Sequence, residues 1–415
     1  MAELIEIKDQ EERFVLVGVA SNMRDDTAQS LEELEELAAT AGAITVGKII
    51  QNRETVHPGT YIGKGKIDEV RALAIETEAT GVVCDDELTP AQLKNLEDAL
   101  QMKVLDRTVI IMDIFANHAS TREGKIQVEL AQLRYRSSRL IGLRNSLSRL
   151  GGGIGTKGPG EKKLEMDRRL IKERITQLRR ELEEVKQNRE TSRSLRSKNM
   201  IPVVAIVGYT NAGKSTLLNH LTNAGVLEED KLFATLDPTT RTLALESGQQ
   251  VLMTDTVGFI RKLPHHLIES FRSTLEEAKY SDIILHVVDS SNPDVYSQMH
   301  IVYDTLHKLG IEDKIIITAF NKQDKLEAET ILKDFKADHT VKISAKTGAD
   351  IDKLLSIIEK VLGERKVLLE KVFSYQDAGK IQTIRKYGQL LEEEYQQEGI
   401  YVKAYVPKEV LQTLE

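Results

Sequence analysis

One stretch constrains the fold of this chain more than any other, and it occupies residues 203–221 of 415. An apolar, β-branched run ends in Gly208, and the pattern Gly208-x-x-x-x-Gly213-Lys214-Ser215 follows it, before a segment with helical periodicity. A strand, a glycine-rich loop and a helix in this order are the context of a P-loop, whose backbone N–H groups surround phosphate oxygens. The stretch therefore predicts an α/β domain that binds the phosphates of a nucleotide.

Each residue type in this loop has a chemical task. Lys214 would reach the β- and γ-phosphates, and the Ser215 hydroxyl would bind Mg²⁺. Glycines let the backbone approach the phosphates where a side chain would obstruct it. The predicted nucleotide contacts here are Gly208, Tyr209, Thr210, Asn211, Ala212, Gly213, Lys214, Ser215 and Thr216.

Further motifs follow in the order that a GTPase requires. At the end of an apolar strand, Asp255 can hold Mg²⁺ through water, and the Gly258 N–H can meet the γ-phosphate. The predicted contacts in this motif are Asp255, Thr256, Val257 and Gly258.

Two motifs near the end of the domain indicate the base. The Asp324 carboxylate can accept hydrogen bonds from guanine N1–H and the 2-amino group, which adenine lacks, and two charge-assisted bonds contribute roughly 3–6 kcal/mol. Asn321 would tie this loop to the P-loop, and the Lys322 stem would cover the base. The backbone of Ser344, Ala345 and Lys346 would support the guanine oxygen.

A threonine between the P-loop and Asp255 would complete the Mg²⁺ shell while the γ-phosphate is present, and its release after hydrolysis would make a switch. The residues themselves leave three candidates, Thr235, Thr239 and Thr240. The predicted contacts in this segment are Phe233, Ala234, Thr235, Leu236 and Asp237.

The whole chain reads as a multidomain α/β protein. Its length predicts two to four domains, and we divide it into an N-terminal α/β domain (1–117), a helical hairpin with a glycine-rich loop and linker (118–199), a P-loop GTPase domain (200–365) and a small C-terminal α+β module (366–415). The lone Cys84 favours a reducing compartment. Without a signal peptide or a membrane-length apolar run, we expect a cytoplasmic, monomeric protein.

Local patterns fill in these domains. Strands alternate with helices between residues 12 and 117, which predicts a parallel sheet. Helical patterns over 115–150 and 161–193 flank the glycine-rich residues 151–160 and predict an antiparallel hairpin with an apolar seam, and a polar linker over 189–199. The C-terminal module is predicted as a strand (367–373), a helix (379–397) and a strand (400–406).

The hairpin also concentrates positive charge. Residues 122–198 hold 21 Lys and Arg against 10 Asp and Glu, a local charge of +11 in a chain of net charge −8. Arginine grips phosphate bidentately and stacks on bases, so we favour nucleic-acid contact over a merely solvated face, a lipid surface or an acidic protein. Lys64 and Lys66, between glycines, either lead into a helix or touch a phosphate of RNA or of a second nucleotide.

The motifs together resemble the HflX family of translation-factor-related GTPases. The resemblance rests on the P-loop, residues 233–238, residues 255–259, the glycine linker 151–161 and the preceding residues 127–131, of which the glycine linker and the segment 233–238 are family-specific. The resemblance implies a GTPase that binds the large ribosomal subunit and its RNA and splits or rescues ribosomes, with the hairpin directed toward the peptidyl-transferase region. It also implies that Thr235 is the Mg²⁺ threonine, so that Lys214, Thr235 and Gly258 form the catalytic set, and Ser215, Thr235 and (through water) Asp255 the metal set.

Two residues bear on the rate. Phe259 stands where many small GTPases place a glutamine that orients the attacking water, so we expect slow intrinsic hydrolysis that a partner stimulates. Asn211 resembles the P-loop asparagine through which some related GTPases hold K⁺ near the phosphates, which makes K⁺ a further candidate ion. His265 and His266 are better interpreted as ordinary switch-helix residues than as water-orienting groups.

A rival hypothesis keeps the GTPase and changes the partner. In it the protein is a GTP-dependent protein-interaction switch whose hairpin seam pairs with a partner helix. The seam leucines and the arginines discriminate between the two hypotheses.

Overall fold

The computed structural model describes residues 11–20, 26–147, 159–198, 201–222, 232–233, 236, 238–264, 267, 277–327, 331–364, 366–407 and 410–411. The chain divides into two compact units. The first contains residues 1–185, 231–234 and 261–271, and the second contains residues 186–230, 235–260 and 272–415. The division into four domains stays a prediction.

The first unit is built on a parallel four-stranded sheet of order β2-β1-β3-β4. Its strands are β1 (Arg13–Ala20), β2 (Ile44–Asn52), β3 (Gly81–Cys84) and β4 (Lys103–Asp106), and its helices are α1 (Thr27–Thr40), α2 (Lys64–Glu76), α3 (Pro90–Leu100) and α4 (Arg107–His118). Strands β1 and β3 are buried along nearly their whole length, because helices cover both faces of a parallel sheet. The predicted alternation of strands and helices is confirmed.

Helix α4 lies outside the sequence prediction, which began the helical pattern only at Phe115. Its run Thr108-Val-Ile-Ile-Met112 is rich in β-branched residues and resembles a strand. The Asp106 carboxylate nevertheless caps the helix by accepting a hydrogen bond from the Val109 backbone N–H at 3.2 Å. Burial of the helix overrides the local propensity of its residues.

Two long helices follow, α5 (Arg122–Leu147) and α6 (Pro159–Lys198). Their antiparallel pairing is confirmed, because Glu129 of α5 accepts two hydrogen bonds of 2.7 and 3.0 Å from Arg174 of α6, whereas Arg122, earlier on α5, pairs with Glu181, later on α6. The predicted linker over residues 189–199 is wrong, because α6 continues to Lys198: no Gly or Pro interrupts residues 161–198, and helix-forming Glu, Lys, Arg and Leu dominate them. Of the glycine-rich loop, Pro159 and Gly160 open α6, and residues 151–158 lie outside the described residues.

The second unit holds a six-stranded sheet of order β10-β9-β8-β5-β7-β6, in which β6 alone runs antiparallel to its neighbour. The strands are β5 (Val203–Gly208), β6 (Thr239–Ala244), β7 (Gln250–Asp255), β8 (Ile283–Asp289), β9 (Ile315–Asn321) and β10 (His339–Lys342). The described helices against this sheet include α7 (Lys214–Thr222), α8 (Val295–Lys308) and α9 (Ile351–Glu364). Because β5, β7, β8, β9 and β10 are parallel, their carboxyl ends, which carry the predicted motifs, meet at one edge.

The C-terminal residues form a three-stranded antiparallel sheet with one helix. Strands β11 (Lys366–Phe373) and β12 (Gln389–Gln396) flank β13 (Gly399–Pro407), and helix α10 (Ala378–Tyr387) precedes β12. The predicted helix over 379–397 is therefore wrong after Tyr387. The Leu- and Glu-rich run 390–394 has good helix propensity, but its pairing with β13 across a tight turn makes it a strand.

Across the described part of the chain, every helix is too short or too polar to cross a lipid bilayer.

Candidate nucleotide site

The P-loop connects β5 to α7 as the sequence predicts. Gly213 adopts φ +92°, a left-handed conformation that favours glycine, and a Cβ there would lie 2.4 Å from Asn321 Nδ2. Asn211 also has a positive φ of 59°, which asparagine tolerates better than most residues. The described residues 208–216 thus form a loop whose turn requires glycine at position 213.

Lys214 is buried at the start of α7. Its ammonium donates a hydrogen bond to the Tyr209 carbonyl at 2.7 Å, which curls the side chain back over the loop. Burial lowers the pKa of Lys214 to about 8; Asp255 opposes the shift and Lys322 adds to it. The P-loop therefore holds a desolvated cation at the start of α7.

Ser215 and Asp255 come together where the metal set was predicted. The Ser215 hydroxyl donates to Asp255 Oδ2 at 2.8 Å, and Asp255 is fully buried at the end of β7. Hydroxyl and carboxylate oxygens are the hard donors that Mg²⁺ prefers, so the residues present fit this ion.

The segment after β7 crosses directly beside the P-loop. The Phe259 backbone N–H donates to the Gly208 carbonyl at 3.1 Å, and the Thr210 N–H donates to the Phe259 carbonyl at 2.8 Å. A Cβ on Gly258 would lie 2.9 Å from Thr210 Cα and 3.0 Å from Lys214 Nζ. The Phe259 side chain is buried, so it does not present a group that could orient water.

The threonine set is only partly described. Thr239 and Thr240 belong to β6, where they pair with Asp255 and Thr254, and the Thr240 and Thr254 hydroxyls are 3.0 Å apart. Ala234, Thr235 and Asp237 lie outside the described residues, as do His265 and His266. Leu236 is buried. The buried Phe233 ring packs edge-to-face on the Phe115 ring of the first unit, with centroids 4.7 Å apart. Thr235 stays the predicted Mg²⁺ threonine.

At the base end, Asn321 links two loops. Its side chain donates to the Ala212 carbonyl at 2.9 Å and accepts from the Ala345 N–H at 2.8 Å. Asn321 is buried, so both bonds are shielded from water. The structure thus brings the P-loop, residues 321–324 and residues 344–346 together, as the sequence predicts.

Asp324 is poised as an exposed acceptor. The Ser344 hydroxyl donates to Asp324 Oδ1 at 2.6 Å, and this bond lowers the pKa of the carboxyl group. The carboxylate therefore stays ionised around neutral pH, as recognition of N1–H and a 2-amino group requires.

Sequence reasoning missed the residues at the end of β8 that contact this loop. Asp289 Oδ2 pairs with Lys322 Nζ at 2.7 Å, and Ser290 Oγ accepts from Gln323 Nε2 at 2.9 Å. The only signal in the sequence was the position of both residues at the carboxyl end of an apolar core strand, where sites in parallel sheets form.

The first unit carries a buried ion network that the sequence did not indicate. Arg107, almost fully buried, pairs with Glu33 and with Asp85, and Lys262 pairs with Asp85 at 2.5 Å and with Asp86 at 2.7 Å. Burial raises the pKa of Asp85, and Lys262 opposes that shift. In contrast, Lys64 and Lys66 lie in α2, so the helix begins before the predicted start at Ile67, and Lys66 pairs with Glu69 at 2.7 Å.

The hairpin arginines do not share one environment. Arg139 pairs with the buried Asp106 at 2.6 Å and lies over the Tyr135 ring, so it fastens α5 to the first unit's sheet. Arg136 is exposed, whereas the side chains of Arg144 and Arg149 lie outside the described residues. Arg139 is therefore engaged within the protein, and it is not among the hairpin arginines that could contact a phosphate.

A P-loop, an acidic residue at a strand end and the Asn-Lys-x-Asp loop of residues 321–324 (the guanine-type loop) lie at the carboxyl ends of parallel strands of one sheet, and this arrangement defines the class of P-loop GTPases. Three family models match the chain: "GTP-binding GTPase N-terminal" over residues 28–116, "GTP-binding GTPase Middle Region" over 118–196 and "50S ribosome-binding GTPase" over 203–322. The chain belongs to the HflX family of GTPases, and it hydrolyses GTP.

Two relatives and one solved structure show the extent of the likeness. The GTPase HflX of Lacrimispora saccharolytica is 67% identical over 414 residues, which cover 100% of this chain and 98% of that protein. The GTPase HflX of Escherichia coli is 41% identical over 86% of this chain and 84% of its own length. A GTP-binding protein from Sulfolobus solfataricus in complex with GDP is 24% identical, with a TM-score of 0.44, over 84% of this chain and 99% of that one.

Proposed function

We propose that this GTPase binds the large ribosomal subunit, that the subunit stimulates its hydrolysis of GTP, and that the cycle splits or rescues ribosomes. The observation that carries the choice of partner is the hairpin seam. Ile126 and Leu130 of α5 pack on Leu178 of α6 within the hairpin itself. Because the seam residues pack on each other inside the hairpin, a partner would contact the charged faces of the hairpin and not the seam leucines.

The charge on those faces favours RNA. Arg136 of α5 and Arg169 of α6 are exposed, and both helices belong to the segment of local charge +11. A rival protein helix would need an apolar stripe, and the described residues outside the seam offer only Met166 and Leu170 as exposed large apolar groups on α6. The apolar spacing of residues 161–193 predicts that Leu170 lies in the seam, which is wrong, because the structure exposes its side chain.

At the nucleotide, the proposed roles follow the geometry above. Lys214 and the P-loop N–H groups hold the phosphates, Gly258 meets the γ-phosphate, and Asp324 reads guanine while Ser344, Ala345 and Lys346 line the base. Mg²⁺ would be held by Ser215, by Thr235 and, through water, by Asp255, and when bound it would neutralise charge on the phosphates. Asn211 is the proposed contact for K⁺.

GTP turnover measured with and without purified large subunits, across a salt titration, tests the function. We expect strong stimulation that weakens steeply with salt, because each phosphate contact releases counterions. Absence of both stimulation and co-sedimentation with a non-hydrolysable GTP analogue would refute the ribosomal partner.

A paired variant locates the contact. Reversal of Arg136 and Arg169 to Glu should weaken subunit binding by about tenfold or more and flatten the salt dependence, since two phosphate contacts are lost. The control reverses Lys308 and Lys353 to Glu. Both are exposed lysines of the second unit, and each pairs with an Asp three or four residues earlier in the chain. Equal binding by both variants would favour the protein-partner switch.

A further inference from the structure

The carboxyl end of β8 contacts three consecutive residues of the guanine-type loop. The Ser290 backbone N–H donates to the Asn321 carbonyl at 3.0 Å. Asp289 Oδ2 meets Lys322 Nζ at 2.7 Å, and Ser290 Oγ accepts from Gln323 Nε2 at 2.9 Å. The last residue of β8 and the turn residue after it therefore brace the loop along its length.

Lys322 needs such a brace for two reasons. Its backbone has φ 62° and ψ 34°, a left-handed conformation that a lysine rarely adopts without support. Its side chain is long and loses much rotational freedom when it is held in one place. The Lys322–Asp289 pair is mostly shielded, with 15% of each side chain exposed, so the pairing is less screened than a surface ion pair.

Asp289 is itself held in place. Its Oδ1 accepts hydrogen bonds from the Ser291 N–H at 2.9 Å and the Ser291 hydroxyl at 2.6 Å. The Oδ1 atom of Asp289 is thus bonded within its own turn, and the Oδ2 atom contacts Lys322. This division orients the carboxylate toward the loop before any nucleotide arrives.

We propose that Asp289 and Ser290 are positioning residues for the guanine end of the nucleotide. They hold residues 321–323 so that the Lys322 stem covers the base plane while Asp324, which accepts a hydrogen bond from Ser344, meets the base edge. The inference rests on the proposed nucleotide contacts and adds to them a support from β8 that does not itself touch the base.

The test is nucleotide binding by the full chain carrying Asp289→Asn, which preserves size and removes the charge. We expect the Kd for a fluorescent GDP and the KM for GTP to rise about tenfold, while kcat stays within about twofold, because the phosphate chemistry lies at the other end of the site. Ser290→Ala, which removes one neutral hydrogen bond, should raise the same constants about threefold.

A matched control removes an exposed ion pair of the same kind. Asp304 pairs with Lys308 at 2.6 Å on α8, so Asp304→Asn loses an Asp–Lys pair away from the site. It should leave Kd and KM unchanged. A thermal melt of each variant checks that both are folded.

A double-mutant cycle with Lys322→Ala separates positioning from a general structural role. If Asp289 acts through Lys322, Asp289→Asn should cost less than about threefold once Lys322 is already alanine. Additive effects, an unchanged Kd in folded Asp289→Asn, or a fall in kcat with constant KM would each overturn the inference. Failure of the unmodified protein to bind GDP would instead refute the nucleotide site itself.

Discussion

The proposed phosphate end and the proposed base end of the candidate nucleotide site are built differently. At the phosphate end, main-chain atoms of the P-loop and of Phe259 bond to each other, and Gly213 and Gly258 approach so closely that a Cβ would collide. At the base end, side chains make the contacts: Asp289 pairs with Lys322, the Asn321 amide bonds to the Ala212 and Ala345 backbone, and the Ser344 hydroxyl donates to Asp324. The first end depends on the absence of side chains, and the second depends on their precise partners.

This contrast predicts how each end fails. A Cβ at the phosphate end would meet closely packed atoms, the Asn321 amide at Gly213 and the Thr210 Cα and Lys214 ammonium at Gly258, so its effect should be close to all-or-none. A substitution at the base end removes one of several supports, so its effect should be graded. The following three predictions, in order of decreasing effect, probe the comparison.

Gly258→Ala should produce the largest loss. The new Cβ would meet the Thr210 Cα and the Lys214 ammonium, so the Gly258 N–H would leave its position beside the phosphates. We expect GTP turnover to fall by about 10²-fold or more, as loss of one preorganised donor does elsewhere. Steady-state phosphate release measures this.

Its control is Gly363→Ala in α9, where a Cβ would meet nothing within 4 Å. That variant should keep full activity and gain roughly 0.5–1 kcal/mol of stability, since alanine favours a helix. Near-normal turnover by Gly258→Ala would show that the phosphate end tolerates a side chain and would remove the contrast.

Asn321→Ala should produce a large but graded loss at the base end. The substitution leaves the Ala212 carbonyl and the Ala345 N–H without their partner in a buried place. Each such group costs about 1–3 kcal/mol, so GDP affinity should fall by roughly 30-fold or more. Equilibrium titration with labelled GDP checks this value.

Asn95→Ala is the matching control, because the exposed Asn95 amide also donates to a backbone carbonyl, that of Gly59, at 2.7 Å. GDP affinity of that variant should equal that of the unmodified chain. If Asn321→Ala bound GDP as tightly, the side-chain bridge would not support the base end.

The smallest effect concerns pH at the phosphate end. Burial lowers the pKa of Lys214 to about 8, and bound phosphates would raise it again. Near and above pH 8, Lys214 of the nucleotide-free site is partly deprotonated, so nucleotide binding must take up a proton. The nucleotide affinity should therefore fall about fourfold between pH 7 and 8.5.

A titration of GDP at several pH values in this range measures the slope. Lys214→Arg keeps its charge throughout the range, so whatever affinity that variant retains should not vary with pH. A flat profile for the unmodified chain would mean that Lys214 stays protonated in the nucleotide-free site.

The sequence by itself determined the class of site. The spacing of Gly208, Gly213 and Lys214 and the order of the acidic and Asn-Lys-x-Asp motifs follow from the fixed geometry of a strand, a tight loop and a helix around phosphates. Each motif consists of residues that are close together in the sequence, and the structure brings the motifs together at one sheet edge. The antiparallel hairpin followed from its apolar periodicity in the same way.

Only the tertiary structure decided which distant side chains support these elements. Burial turned the β-branched residues after Arg107 into a helix, and pairing with β13 turned the Leu- and Glu-rich run after Tyr387 into a strand. Contact across the fold assigned Arg139 to Asp106 and Asp289 to Lys322. These pairings join residues that are 33 positions apart in each case, and their partners follow from how the strands and helices assemble, because local propensity is weak beside the free energy of burial and pairing.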